Sequence, residues 1–134
     1  MKFNVRVYYE DTDVSGVVYH ANYLRWFERA RTEWLRALGF DQEKLLREEQ
    51  VGFTVASLTI RYLRPARLDD ELVVSTRISR LARASMEFAQ EIHYAAASGE
   101  LLATAAVRAG CIGVPAFRPR RIPEAILKEL GHVD

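Results

Sequence analysis

The chain has 134 residues, a formal net charge of +1 and 49% hydrophobic residues. This length suits one domain with its own core, and so small a net charge argues against recruitment of nucleic acid or a membrane surface by the overall field. The single cysteine, Cys111, excludes an intrachain disulfide and a cysteine metal cluster, and its apolar neighbours predict a small buried side chain.

The first half of the chain predicts a strand, a loop and a long helix. Residues 3–9 alternate between apolar and polar, which is typical of a strand. A helical spacing follows from Asn22 to Leu38, with Asn22 as the expected N-cap and Gly39 as the residue just beyond the end. A short second helix is expected from Asp41 to Glu49. The apolar face of the long helix is expected to hold Leu24, Phe27, Arg31, Trp34, Leu35 and Leu38.

The second half predicts four strands and a terminal helix. Short turns join Val51–Tyr62, Glu71–Ser79, Ser85–Ala96 and Leu101–Ile112, which favours an antiparallel meander. Pro123–Leu130 is expected to form the last helix, with proline at its first position, N1. The whole chain, 1–134, is therefore expected to be one α+β domain, with a five-stranded antiparallel sheet packed on a single long helix.

The most suggestive segment joins the first strand to the long helix. Between Tyr9 and Tyr23 it carries two acids, Asp11 and Asp13, followed by Gly16 and His20. The backbone N–H groups that open a helix lack intrahelical partners and carry positive potential, so they stabilise developing negative charge. A carboxylate beside such groups is suited to attack on an acyl group.

The same residues carry a family resemblance. The stretches Val5–Asp13, Gly16–Tyr23, Phe27–Glu33 and Tyr62–Asp70 closely resemble the hotdog-fold acyl-CoA thioesterases. The likeness is to the YbgC-type branch, which is associated with the Tol–Pal system and related to 4-hydroxybenzoyl-CoA thioesterase. It implies a hotdog fold, in which an antiparallel sheet wraps a central helix. It also implies subunits that join their sheets edge to edge, active sites at that interface, and dimers that often pair into a homotetramer.

The resemblance implies roles for the motif residues. Asp13 matches the catalytic acid, either as a nucleophile that forms a mixed anhydride or as a general base on water. The backbone N–H of His20 is the expected oxyanion donor, whereas its imidazole either positions water or substrate or packs at the interface. Asp11 is expected in a turn or supporting role, and Glu28 and Glu33 in solvent or in ion pairs.

The expected substrate is a short- or medium-chain, or aromatic, acyl-CoA. Arginines beside the last strand either hold the phosphates of coenzyme A or form a solvated tail. Large side chains at Tyr19, Tyr23, Phe27 and Phe53 are expected to narrow the acyl pocket. The expected substrate-binding residues are Gly16, Val17, Tyr19, Tyr23, Arg118, Arg120 and Arg121.

Other classes of site are not expected. His20, His93 and His132 do not form a metal-ligand set, and no nucleotide-cofactor or α/β-hydrolase motif occurs, so neither a metal nor a cofactor is predicted. No signal peptide or apolar run of membrane-spanning length is evident, which predicts a cytoplasmic protein without nucleic-acid partners. Two alternatives stay open: a hotdog dehydratase acting on 3-hydroxyacyl thioesters, and a non-catalytic acyl-CoA-binding or scaffold protein.

Overall fold

A computed structural model describes residues 2–131, so the prediction for His132 falls on a residue outside that range. All strand pairings are antiparallel, and the strands form one sheet of order β1-β3-β4-β5-β2, with β6 pairing to β5. The expected sheet thus gains a sixth strand, which has two residues, one of them proline, and therefore no periodicity to predict it from. The strands are β1 (Lys2–Arg6), β2 (Val51–Tyr62), β3 (Glu71–Leu81), β4 (Ser85–Tyr94), β5 (Leu101–Gly113) and β6 (Arg118–Pro119).

Three α-helices accompany the sheet: α1 (Ala21–Ala37), α2 (Gln42–Lys44) and α3 (Glu124–Leu130). The first strand ends three residues earlier than predicted, and a 3-10 turn at Tyr9–Asp11 follows it. The predicted second helix is short and gives way to a π-helical turn over Leu45–Glu49. None of the helices within residues 2–131 is long and apolar enough to cross a bilayer.

The two ends of α1 differ in how well the sequence predicts them. Gly39 has φ +96° and its N–H donates to the carbonyl of Arg36, while Phe40 N–H donates to Leu35, which completes a Schellman motif as predicted. At the start, the prediction of Asn22 as N-cap is wrong. His20 occupies the N-cap position without a side-chain capping bond, and Asn22 lies inside the first turn, where its amide donates to the Asp11 carbonyl at 2.9 Å.

The core lies between α1 and the sheet. Helix α1 presents large side chains, among them Trp26, Phe27 and Trp34, all almost completely buried. Trp34 stacks edge-on against Phe88 of β4 at 5.5 Å between ring centroids. Leu24, predicted on this face, is instead exposed, because the buried stripe is centred on Trp26, Ala30 and Trp34. Cys111 is buried, as predicted.

The inward face of β5 has small side chains throughout. This pattern suits a helix that carries two tryptophans, because small strand residues leave the volume that large helix residues fill. The inward residues of β5 are Ala103, Ala105, Val107, Ala109 and Cys111.

Strand β2 lies at an edge of the sheet. It pairs with β5 along its length, and no other strand of residues 2–131 covers its second edge. Val55, Leu58 and Tyr62 of this strand are exposed. A long uncovered edge with apolar side chains is a surface to which another strand can pair.

Candidate active site

Asp13 lies on a tight loop held at both ends. An isolated antiparallel bridge joins Thr12 to Val18, and Asp13 N–H donates to the Val17 carbonyl at 2.9 Å. Gly16 turns the chain with φ +82° and donates its N–H to the Asp13 carbonyl at 3.1 Å. A positive φ of this kind favours glycine, which explains the residue type at this turn.

The Asp13 carboxylate forms an Asx turn with Ser15. Its Oδ1 accepts a hydrogen bond from the Ser15 hydroxyl at 2.6 Å and another from the Ser15 N–H at 2.8 Å. These two bonds, the hydroxyl one foremost, lower the pKa of Asp13 below its ordinary value because they stabilise the ionised form. The side chain is exposed. Asp13 is therefore an ionised and solvent-accessible carboxylate at neutral pH.

The loop is tied to the segment that follows β2. Val18 N–H donates to the Ala66 carbonyl at 2.9 Å, and Leu68 N–H donates to Gly16 at 3.2 Å. These bonds keep Val17 and Val18 extended, so the helix can begin only after them. Asp11 supports the same arrangement, since its carboxylate accepts from Tyr8 N–H and its carbonyl from Tyr19 N–H, both at 2.9 Å.

The helix start leaves a backbone donor free. The N–H groups of Asn22 and Tyr23 donate to Tyr19 and His20 at 2.9 and 3.2 Å. The N–H of His20, in contrast, finds no acceptor within residues 2–131. It lies at the positive end of α1, where a developing oxyanion is stabilised.

A shallow groove of about 310 Å³ opens beside this helix start. Its walls are formed by the end of β2 and by the residues after it, together with the first turn of α1. Tyr62 donates its hydroxyl to the His20 carbonyl at 3.4 Å, and its ring lies 6.4 Å from the imidazole. The groove is lined by Val17, Val18, His20, Tyr23, Tyr62, Leu63, Arg64 and Pro65.

The predicted substrate-binding residues of the motif divide between the groove and its surroundings. Val17 and Tyr23 line it, whereas Gly16 and Tyr19 lie outside it, as does Asp13, the predicted catalytic acid. Tyr23 is almost fully buried, and its hydroxyl accepts from Ala66 N–H at 3.0 Å, so only part of its ring faces the groove. Tyr19 is half exposed, with its ring 4.5 Å from that of His20.

Comparison with known proteins shows the family of this chain. Residues 15–98 match the model of a family described as the thioesterase superfamily. The chain belongs to the thioesterase superfamily. It is 44% identical to the acyl-CoA thioesterase YbgC of Haemophilus influenzae over 131 residues, which cover 98% of this chain and 94% of the relative.

Other relatives agree. An acyl-CoA thioester hydrolase YbgC of Escherichia coli O6:H1 is 44% identical over 96% of this chain and 93% of its own length. The crystal structure of a probable thioesterase from Bartonella henselae superposes with a TM-score of 0.85 at 42% identity, covering 92% of this chain and 98% of that one. The predicted family, the hotdog fold and the assignment to the thioester hydrolases are thereby confirmed.

In this thioesterase the three candidate arginines lie far from Asp13 within one chain. Arg118 pairs with Gly113 in the β5–β6 hairpin, and Arg120 donates to the Glu49 carbonyl at 2.7 Å, beside the start of β2. His20 lies at the opposite end of β2, eleven residues away, or about 36 Å at 3.3 Å per residue. One chain therefore does not bring Arg118, Arg120 and Arg121 to the loop that carries Asp13.

A second cavity, of about 260 Å³, lies between α1 and the first half of β2. Phe53 lines this cavity and Phe27 is part of the core. The prediction that these two side chains narrow the acyl pocket does not hold for the groove beside His20, because neither of them lines it. Glu28 is exposed at the second cavity, while Glu33 pairs with Arg36 on the surface, as expected for both acids.

Under α1 lies a buried polar cluster that the sequence reasoning missed. Gln90 Nε2 donates to the Phe27 carbonyl at 3.0 Å and to Thr76 Oγ1 at 2.9 Å, and Gln90 Oε1 accepts from Arg31 Nη1 at 3.0 Å. The alternation of β4 could have revealed this cluster, because Gln90 occupies an inward position between Phe88 and Ile92. Among residues 2–131 no three histidine, cysteine or acidic side chains are grouped to hold a metal ion.

Proposed function

We propose that this chain hydrolyses acyl-CoA thioesters to the free acid and coenzyme A, with Asp13 as the catalytic carboxylate and the His20 N–H as the oxyanion donor. The observation that carries the proposal is the His20 N–H at the start of α1, which has no acceptor within the described residues. The names of the relatives, acyl-CoA thioesterase and acyl-CoA thioester hydrolase, support the same reaction.

The chemistry uses the ionised form of Asp13. As a general base, the carboxylate takes a proton from water, the resulting hydroxide adds to the thioester carbonyl, and the proton passes to the departing thiolate. As a nucleophile, a carboxylate oxygen adds to the carbonyl carbon, the thiolate leaves, and water cleaves the mixed anhydride. Both routes place negative charge on the carbonyl oxygen, where the His20 N–H donates. A pKa held low by Ser15 keeps the carboxylate ready in either case.

The active unit in this proposal is a homodimer, with pairing of dimers into tetramers as a further step. The uncovered edge of β2 supports antiparallel pairing with the β2 of a second copy. Such pairing sets the start of one β2 beside the end of the other. Arg118, Arg120 and Arg121 of one subunit then approach the His20 groove of the other and hold the phosphates of coenzyme A. The proposed location is the cytoplasm, and the proposed domain spans residues 1–134.

The substrates proposed are short- or medium-chain and aromatic acyl-CoA thioesters. The groove beside His20 supports this range, because it is shallow and its walls include the rings of Tyr23 and Tyr62, which pack edge to face at 5.1 Å. Aromatic walls of this kind favour flat or short apolar groups.

Thiol release from a panel of acyl-CoA thioesters tests the proposal. Asp13→Asn should lower kcat by about 100-fold or more, since a positioned acid–base group contributes roughly that much. Asp11→Asn is the matched control from the same loop. An asparagine oxygen can still accept from Tyr8 N–H, so this variant should keep most of its activity.

Three results would count against the proposal. Activity of Asp13→Asn within tenfold of wild type would remove Asp13 from the reaction. An enoyl product in place of free thiol, from 3-hydroxyacyl thioesters, would favour a dehydratase. Binding of acyl-CoA without turnover by the wild type would favour a binding or scaffold role.

A further inference from the structure

Phe117 is an exposed aromatic residue on the hairpin between β5 and β6. It is 72% exposed, and its backbone has φ +56°. A bulky side chain rarely adopts this left-handed conformation, because its Cβ crowds the following carbonyl oxygen. Burial of the ring does not offset that cost, since most of the residue faces solvent. Strained residues of this kind concentrate at sites that contact a ligand.

The hairpin that carries this ring is anchored on both sides of its tip. Strand β6 pairs with the end of β5. Before the tip, Val114 N–H donates to the Gln50 carbonyl at 2.9 Å. After it, Arg120 donates its N–H to the Cys111 carbonyl at 3.0 Å and its Nη1 to the Glu49 carbonyl at 2.7 Å. A ligand that stacks on the ring therefore does not first have to order the backbone beneath it.

Three arginines follow the ring along the chain. Arg118 comes directly after Phe117, Arg120 and Arg121 lie within the next three residues, and residues 113–122 include no acidic side chain. No carboxylate of residues 2–131 forms an ion pair with any of these arginines. A flat exposed ring beside guanidinium groups without acidic partners suits a nucleotide, because the base stacks on the ring and the phosphates pair with arginine.

We infer that Phe117 is the platform on which the adenine base of coenzyme A stacks, so that the hairpin of one subunit recognises the nucleotide end of a substrate whose thioester lies in the groove of the other. The inference rests on the proposed function, and it adds recognition of the base to the phosphate contacts proposed there. It makes Phe117 a residue that selects coenzyme A thioesters over thioesters without a nucleotide.

The proposed pairing of two β2 strands supports this placement. Gly113, at the foot of the hairpin, pairs with Val51 at the start of β2, whereas Tyr62, at the end of β2, lines the groove. Antiparallel pairing sets the start of one β2 beside the end of the other. The hairpin of one subunit and the groove of the other are therefore neighbours, and the pantetheine arm of coenzyme A connects the base to the thioester between them.

The decisive measurement compares thioesters with and without the nucleotide. The same acyl group is joined to coenzyme A and to pantetheine, and kcat/KM is measured for both. Phe117→Ala should lower the value for the coenzyme A thioester by about 5- to 150-fold, the range for loss of one base–aromatic stack, and leave the pantetheine thioester unchanged. Phe117→Trp, which keeps a stacking face, should restore most of the loss, whereas Phe117→Leu, an apolar control without such a face, should not.

Two outcomes of this comparison overturn the inference while the proposed function stands. One is an unchanged kcat/KM for the coenzyme A thioester in Phe117→Ala. The other is an equal fall with both thioesters, which would mean that the ring acts on the groove rather than on the nucleotide. If the wild type hydrolyses no acyl-CoA at all, the proposed function fails as well.

Phe117→Gly separates a ligand role from a structural one. Glycine adopts a positive φ freely, so this change removes the ring and the backbone strain together. The thermal midpoint should therefore not fall below that of the wild type, while kcat/KM for the coenzyme A thioester should fall as far as in Phe117→Ala. A lower midpoint with equal losses on both thioesters would show that the ring serves the hairpin itself, against the inference.

Adenosine 3′,5′-bisphosphate, the nucleotide end of coenzyme A, gives a readout without turnover. Isothermal titration calorimetry should show a Kd that is about 5- to 150-fold weaker in Phe117→Ala than in the wild type. An equal Kd in the two proteins overturns the inference, and this result decides if the pantetheine thioester is not hydrolysed. ATP carries the same base without the 3′-phosphate. Tighter binding of ATP than of the bisphosphate, with a change in pantetheine thioester hydrolysis that Phe117→Ala abolishes, would mark an effector site for free nucleotides and contradict the inference.

Discussion

Replacing Gln90 by leucine should destabilise the protein strongly, although leucine is an apolar residue of similar size in a buried position. Gln90, in β4, is 1% exposed and makes three hydrogen bonds. Two of them reach α1, at the Phe27 carbonyl and the Arg31 side chain, and the third reaches Thr76 in β3. Leucine fills a similar volume but removes all three. Thr76, a residue that is 5% exposed, then has a hydroxyl without its partner, and Arg31 loses its only protein hydrogen bond among the described residues.

The size of the effect follows from those two groups. A buried polar group left without a partner costs about 1–3 kcal/mol. Thr76 falls in the middle of that range, and Arg31 near its lower end, since its guanidinium still reaches the cavity. Together, these two groups give an expected loss in the free energy of unfolding of about 3 kcal/mol. This is a large share of the roughly 5–15 kcal/mol that stabilises a domain.

Urea unfolding at a fixed protein concentration measures the loss. With a slope of about 2 kcal/mol per molar, the midpoint should fall by about 1.5 M. Thr76→Val in the Gln90→Leu background supplies the control, because it removes the stranded hydroxyl. The double variant should be more stable than the sum of the single effects predicts, by about 1–2 kcal/mol. A midpoint shift under 0.3 M, or strict additivity of the two changes, would refute the hydrogen-bonded cluster.

Other predictions concern the catalytic loop, the sheet edge and the cysteine. Ser15→Ala should raise the pKa of Asp13 towards its ordinary value, because a hydrogen bond to the ionised form is lost; a carbon-13 NMR titration, assigned with Asp13→Asn, checks this. The folded-state pKa of Asp13 is depressed, so the stability it contributes is present at neutral pH and is lost as the pH falls through that value; this acid-side loss should be smaller in Ser15→Ala. Leu58→Lys, at the edge of β2, should shift the protein towards monomer in sedimentation velocity and reduce activity, and a wild-type profile in both would argue against pairing through β2. Cys111 should react with thiol reagents at pH 8 only on unfolding, since it is 1% exposed and burial raises its pKa; rapid labelling of the native protein would contradict its placement.

Local patterns predicted the sheet well. The ends of β2 were predicted to the residue, because Val51 follows a turn and the alternation stops at Tyr62. The C-terminal end of α1 was also predictable from the sequence, since it depends on a single glycine, Gly39. The loop that carries Asp13 was recognisable as a turn because Gly16, which has a positive φ, lies only three residues after the acid.

Features that depend on distant contacts were not predicted correctly. Asn22 looks like a cap by residue type, but the bridge of Val18 to Ala66 sets the helix start two residues earlier. The buried role of Gln90 depends on partners that are up to 63 residues away in sequence. The catalytic assignments of Asp13 and His20 stay predictions, since they require the assays described above.

The alanine-rich inner face of β5 sets the volume of the cavity between α1 and β2 independently of the loop that carries Asp13. Ala109 lines the cavity beside Arg31, while the loop around Asp13 is anchored to the segment after β2. A larger side chain at Ala109 would shorten the cavity without touching the residues that hold Asp13 or His20. Single substitutions on one strand can thus change the volume of this cavity, while the loop that carries Asp13 stays constant.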